Sequence, residues 1–322
     1  MAVVEIEPTD LEAGREVIAG AAAELREGLL VAFPTETVYG LGADATNGIA
    51  LAAIFERKGR PRINPLIVHV SGLDEATKLV VFNDAAKALA HAFWPGPLTL
   101  VLPRQPDGPV HDLASAGLPT LAVRIPAHPV ARALIAAAER PVAAPSANRS
   151  GEPSPTRAAH VVESLGSVDL TIIDGGPCDA GLESTVIGFE SGQAVMLRAG
   201  PLSRDVIERI VGPLAIARDD ATRPSSPGRL LRHYAPKATL RLDVTQPEAD
   251  ELFLSFGDAS GNEASLSLST TGDLREAATN LFACLREADR RGAARIAVAP
   301  IPDTGLGEAI NDRLRRAAAA QA

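Results

Sequence analysis

Five polar blocks in this chain carry residue types that could hold an anion. The first, Pro34-Thr-Glu-Thr-Val-Tyr-Gly-Leu-Gly42, offers two hydroxyls, a carboxylate and two glycines that permit close backbone approach. Taken alone, it reads equally well as a tight loop between a strand and a helix. The second, Lys58-Gly-Arg60-Pro-Arg62-Ile-Asn64-Pro-Leu66, closes with His69 and sets three cations within five residues among prolines. Such cations repel one another unless solvated or bound to an anion, and each charge-assisted contact to a phosphate contributes about 1.5–3 kcal/mol. Solvation at a helix C-terminus is the plainer alternative, which the stiff prolines weaken. In the third, Thr120-Leu-Ala-Val-Arg124-Ile-Pro126, alternation puts Arg124 on the strand face of Thr120 and Ala122, where it snorkels to water or meets an anion. The fourth, Ala144-Pro-Ser146-Ala-Asn148-Arg-Ser150-Gly-Glu-Pro-Ser154-Pro-Thr156, runs from a strand into a helix start. Its hydroxyls and N–H groups form either an anion cradle without a lysine or an ordinary Ser/Pro loop. In the fifth, Glu183-Ser184-Thr185-Val186 with Arg198, two neighbouring strands end in polar groups.

The elements that must position these blocks alternate between short β-rich runs and amphipathic stretches. The pattern predicts strands at residues 3–6, 29–33, 66–70, 98–102, 120–125, 142–144, 170–174, 186–189 and 194–197. It predicts helices from a Thr9/Glu12 capping box to about residue 27, and from Asn47 to about Lys58 with Ile49, Leu51, Ile54 and Phe55 inward. Further helices follow Asn83, span 129–138, follow a cap at Thr156 and start at Ser203. The fold class is α/β with mixed strand directions, because some strand pairs lack an intervening helix. Residues 1–211 form the main domain and 212–238 a linker containing Arg223-Pro-Ser-Ser-Pro-Gly-Arg229. Six basic residues between Arg218 and Arg241 make that linker either a charged spacer or a lid over an anion. Residues 239–322 form a small second α/β unit, with strands at 239–244, 252–256 and 295–299, helices at 273–291 and from 305, and a polar loop over 257–269.

Composition narrows the classes. At 322 residues the chain has room for two domains, and 46% hydrophobic with 22% charged residues is globular. Cys178 and Cys284 stand far apart, against a disulfide scaffold or a zinc ribbon. A net charge of -9 means that any anion site is built locally, and 3% aromatics are too few for an extended RNA-stacking platform. No P-loop, dinucleotide fingerprint, HExxH, GxSxG or kinase signature occurs, and the six histidines lack metal-ligand spacing. No apolar run approaches the roughly 18 residues of a membrane span, and the acidic N-terminus does not read as a signal peptide. A soluble, cytoplasmic protein with no membrane partner is expected.

In this order and spacing, the blocks resemble the YrdC-type family of threonylcarbamoyl-AMP synthases. The matching strings are PTETVYGLGADA (34–45), KGRPRINPLIVHV (58–70), WPGPLTLVL (94–102), LAVRIP (121–126), APSANRSGEPSPT (144–156) and ESTVIGF (183–189). SPGRLLRHYAPKATL (226–240) and the tail resemble the longer two-domain members, although Arg229-Leu-Leu231 departs from their usual pattern. The resemblance implies a twisted mixed sheet with a large basic cavity, plus a small Rossmann-like C-terminal domain. It implies condensation of L-threonine, bicarbonate or CO2 and ATP to threonylcarbamoyl-AMP and pyrophosphate, with Mg2+ accompanying the nucleotide. Partner proteins would then use the adenylate to modify tRNA, and direct tRNA binding is left open. Carried over by residue, Lys58 and Arg60 would act at the phosphates. Thr35, His69, Arg124, Ala144 and Ser184 would hold L-threonine. Asn64, Thr120, Ser146, Ser154 and Arg198 would lie along the nucleotide, with Tyr234 closing over it. The alternative is an RNA-binding module that uses the cavity without turnover.

Overall fold

The computed structural model describes residues 3–216, 234–257 and 265–319. In chain order the first unit begins β1 (Val3–Glu5), α1 (Arg15–Arg26), β2 (Val31–Phe33), β3 (Gly40–Asp44), α2 (Gly48–Lys58) and β4 (Ile67–His69). It continues with α3 (Leu73–Leu79), α4 (Asp84–Phe93), β5 (Leu98–Pro103), α5 (Asp112–Ser115), β6 (Thr120–Arg124), α6 (Pro129–Ala138) and β7 (Val142–Ala143). It ends with α7 (Ala158–Leu165), β8 (Thr171–Asp174), β9 (Thr185–Glu190), β10 (Gln193–Arg198), α8 (Arg204–Val211) and β11 (Ala215–Ile216). The second unit is β12 (Thr239–Arg241), β13 (Leu252–Phe256), β14 (Leu266–Ser269), α9 (Leu274–Arg290), β15 (Arg295–Val298) and α10 (Leu306–Ala319).

Local chemistry explains most of these boundaries. The Asn47 side chain accepts from the N–H groups of Ile49 and Ala50, and Asn83 accepts from Ala86, so both cap their helices. Gly59 ends α2 in the left-handed conformation that glycine tolerates. Helix α1 instead starts at Arg15: the Thr9 hydroxyl turns to Glu7 and no side chain caps the helix. Ile49 is 84% exposed, so the buried face of α2 is Ala50, Leu51, Ile54 and Phe55. Thr156 does not cap either, since α7 begins after Arg157.

The eleven strands of the large sheet run in the order β1-β8-β2-β3-β7-β4-β6-β5-β9-β10-β11. Parallel and antiparallel pairings mix, as expected where strand pairs lack a crossover helix. The first polar block is not a loop between strand and helix. Its end is β3, antiparallel to β2, and a Cβ on Gly42 would sit 2.7 Å from the Phe33 ring. β11 pairs with β10, carrying this sheet past residue 211. One face packs Leu51, Ile54, Leu66, Leu98 and Val123; another core holds Leu25, Val31, Phe33 and Leu134.

The second unit is a parallel sheet, β12-β15-β13-β14, with α9 packed on β13 and β14. β14 occupies part of the stretch expected to be loop, and residues 258–264 of that stretch lie outside the described residues. The unit's core of Leu254, Leu281, Phe282, Leu285, Ile310 and Leu314 also takes in Tyr234 and, from the first unit, Val38 and Leu182. Most of the expected lid, 217–233 with Arg218, Arg223, Arg229 and Arg232, falls outside the described residues.

Candidate active site

Strand register brings the polar blocks together. β4 and β6 are parallel with His69 opposite Arg124, and β7 pairs antiparallel so that Val142 lies opposite His69. The segment after β7, the turn between β2 and β3, the start of β9 and the end of β10 converge on the same end. They surround a pocket with a cavity volume of about 50 Å³, walled by Thr35, Thr37, Val38, Gly40, Arg60, Ile67, His69, Arg124, Ala144, Pro145, Ser146, Glu183, Ser184, Arg198 and Tyr234.

Three guanidinium groups from three separate elements face this pocket, and each is anchored. Arg124 donates from Nη1 to Thr37 Oγ1 (2.9 Å) and from Nε to the Gly96 carbonyl (3.2 Å). Its Nη2 pairs with Glu36 Oε1 at 2.7 Å. Burial pulls the Glu36 carboxyl upward, but Arg124 outweighs it and holds the group below its ordinary range. The Thr37 hydroxyl lies 2.8 Å from that of Thr35, which donates on to the Val38 carbonyl at 2.6 Å. Arg198 donates from Nε and Nη2 to the Ser184 carbonyl (3.1 and 2.9 Å), and the Ser184 hydroxyl meets Thr99 Oγ1 at 2.7 Å. Arg60 donates from Nε to the Asn64 carbonyl and from Nη2 to that of Pro65. The carbonyl contacts aim Arg60 and Arg198 without cancelling their charge, whereas Arg124 is aimed partly by its ion pair with Glu36.

Lys58 and Arg60 are buried, and neither pairs with a carboxylate among the described residues. The Lys58 ammonium sits on the carbonyls of Ser146 and Asn148. Burial, and then the charge of Arg60, pulls it well below the ordinary lysine range, while burial lowers Arg60 to about 10. Two desolvated cations side by side are an unfavourable arrangement that an incoming anion relieves. His69 is also buried; burial, then Arg124, drops it to about 3, so its imidazole is neutral at physiological pH.

Nine of the sequence-predicted residues wall the pocket: Thr35, Arg60, His69, Arg124, Ala144, Ser146, Ser184, Arg198 and Tyr234. Lys58, Asn64, Ser154 and Thr120 do not. Lys58 stitches the end of α2 to the 146–150 loop instead of facing the cavity. The Asn64 side chain is fully buried beneath Arg60, and the Ser154 hydroxyl donates to Glu183. Thr120 opens β6 opposite Pro103, four residues from Arg124 and so about 13 Å along the strand. Thr37 and Glu183 wall the pocket without having been singled out as binding residues, although both lie inside the polar blocks. Tyr234 is buried, stacked on Phe282 with ring centres 5.4 Å apart, and the next residue's N–H donates to Gly151. Among the described residues no group of three or more His, Cys, Asp or Glu side chains gathers around a metal position. Glu36 and Glu183 are each paired with an arginine, so these side chains do not fit a dedicated Mg2+ cage.

Comparison with known proteins bears on this arrangement. Residues 23–200 match the model of the Sua5, YciO and YrdC family, described as telomere recombination, and residues 202–319 match the threonylcarbamoyl-AMP synthase C-terminal domain. The chain is 41% identical over 321 residues to the threonylcarbamoyl-AMP synthase of Bacillus subtilis strain 168, covering 94% of this chain and 92% of that one. It is 43% identical over 316 residues to the protein of that name from Pyrococcus abyssi, covering 92% of each. The crystal structure of P. abyssi Sua5 complexed with L-threonine matches with a TM-score of 0.89 at 39% identity, covering 100% of this chain and 98% of that chain. The chain belongs to the Sua5, YciO and YrdC family, in the form that carries the threonylcarbamoyl-AMP synthase C-terminal domain.

Proposed function

We propose that this chain condenses L-threonine, bicarbonate (or CO2) and ATP into L-threonylcarbamoyl-AMP and pyrophosphate. The observation that carries this reading is the convergence of Arg60, Arg124 and Arg198 on one buried pocket. The threonine amine and bicarbonate give a carbamate with loss of water. A carbamate oxygen then bonds to the α-phosphorus as the α–β phosphoanhydride bond breaks and pyrophosphate leaves. Two anions must meet, so the protein's task is to cancel charge and align them, and alignment alone can lower a barrier by about 7–11 kcal/mol at best.

In this scheme Arg124 takes the threonine carboxylate, within a wall of Thr35, neutral His69, Ser184 and the main chain at Ala144. Arg60 and Arg198 face the phosphates. Lys58 adds its charge from behind the Ser146–Asn148 loop. Asn64, Ser146 and Ser154 shape the nucleotide side, and Tyr234 covers it. Thr120 is left outside the scheme, at the far end of its strand. Mg2+ arrives on the phosphates as part of the nucleotide substrate. The adenylate is passed in the cytoplasm to partner proteins that modify tRNA, and no direct tRNA contact is assigned.

The test is pyrophosphate release from the purified chain. Release that requires threonine and bicarbonate together supports the synthase. RNA binding with a steep salt dependence and no such turnover would favour the binding module instead.

A further inference from the structure

The second unit sends a cation into the pocket wall. α10 turns Ile310, Arg313, Leu314 and Ala317 inward at helical spacing, and Arg313 is 0% exposed. Its Nε donates to Glu183 Oε2 at 2.9 Å and its Nη2 to the Ala199 carbonyl at 3.0 Å, both in the first unit, while its Nη1 donates to Asp312 Oδ2 at 2.6 Å within α10. Glu183 walls the pocket, and its other carboxylate oxygen accepts from the buried Ser154 hydroxyl. The Arg313 guanidinium also lies 5.2 Å from the centre of the Tyr234 ring. Tyr234 itself is held at φ +65°, a left-handed conformation that a bulky residue keeps only where its surroundings over-determine it.

A buried ion pair is a poor adhesive, because desolvating two charges offsets much of their attraction and apolar residues of similar volume often dock as well. Here the apolar core around Val38, Leu182 and Phe282 already joins the two units. The pair adds direction. One guanidinium orients the Glu183 carboxylate, the main chain next to Arg198 and the Tyr234 ring at once. We propose that Arg313 is a positioning residue for adenylate formation, setting Glu183 and Tyr234 in the arrangement the bound substrates need, so that the C-terminal unit is part of the pocket. The proposal rests on the synthase reading.

The full chain is compared with Arg313→Met, Arg313→Lys, Glu183→Gln and the double variant Arg313→Met/Glu183→Gln, by pyrophosphate release and thermal melting. Arg313→Met is expected to lower kcat by about 10- to 100-fold, the scale of a small misplacement transmitted to a reacting group. Arg313→Lys, which keeps the charge but loses the fork, should fall between Arg313→Met and wild type. The double variant, which removes the Arg313–Glu183 charges and leaves Asp312 with Arg316, should regain melting temperature without regaining kcat, which a purely structural pair would not do. Recovery of kcat in step with melting, or kcat and KM of the single variants within about twofold of wild type, overturns the proposal. Should Arg313→Met not fold, Arg313→Lys and the double variant make the same comparison. A wild-type chain without threonine- and bicarbonate-dependent turnover removes both readings, whereas active wild type with indifferent variants removes only this one.

Discussion

His69 is an imidazole walled in between β7 and β6, where burial and then the Arg124 guanidinium disfavour its proton and outweigh the main-chain groups of Val142 and Ile67 that favour it. In the unfolded chain it titrates near its ordinary 6.5, and in the folded one at about 3. Between those values the unfolded state holds the extra proton, so stability is full above about 6.5 and falls as pH drops toward 3, by up to ~1.4 kcal/mol per unit from this group. His160, lowered to about 4 by burial, adds to the same trend. Urea melts at pH 7 and pH 4.5 should therefore show a smaller acid loss for His69→Gln than for wild type; equal losses would contradict the assignment. Much of the pocket was legible at this scale, because Arg60, Arg124, His69 and Arg198 sit in or beside short polar strings whose order and spacing resemble those of the family, although each string alone also had a plainer reading. Arg313 was not, since nothing links it in sequence to a wall some 130 residues away. Its one local signal is a charged residue at a core-facing position between Ile310 and Leu314.

At the scale of elements, long periodic stretches and capped helices could be read directly: α6 is found over 129–138 and β13 over 252–256, as predicted. Two missed strands share a cause. β3 reads Gly-Leu-Gly-Ala-Asp and β14 Leu-Ser-Leu-Ser, and neither has the β-branched or aromatic content that marks a strand; pairing with neighbours makes them strands. The contact between α9 and the segment leading into β9 depends on a comparable small residue. Gly181 lies at φ +67° with its missing Cβ 2.3 Å from Thr279 Cα, while Thr279 Oγ1 donates to the Asp179 carbonyl at 2.7 Å. Gly181→Ala should push α9 away from Leu182 and Glu183 and cost about 1–3 kcal/mol, read as a lower melting temperature and faster proteolysis. A variant as stable as wild type would show that this approach is not tight in solution.

For the whole molecule, the net charge of -9 and the cationic pocket are reconciled by burial: acidic residues such as Glu12, Asp84 and Asp112 stand at the surface, and Lys58, Arg60 and Arg124 stand inside. Because Val38 and Leu182 from the first unit and Tyr234 from the far end of the linker belong to the second unit's core, neither unit can come apart without exposing apolar surface of the other. Calorimetry should accordingly give a single endotherm whose van't Hoff and calorimetric enthalpies agree, and two resolved transitions would contradict the shared core. The same seam makes distant helices report on the pocket. An ATP analogue that stabilises the wall at Val38 and Glu183 should slow amide exchange along α9 and α10, elements that stand behind that wall without lining the pocket themselves.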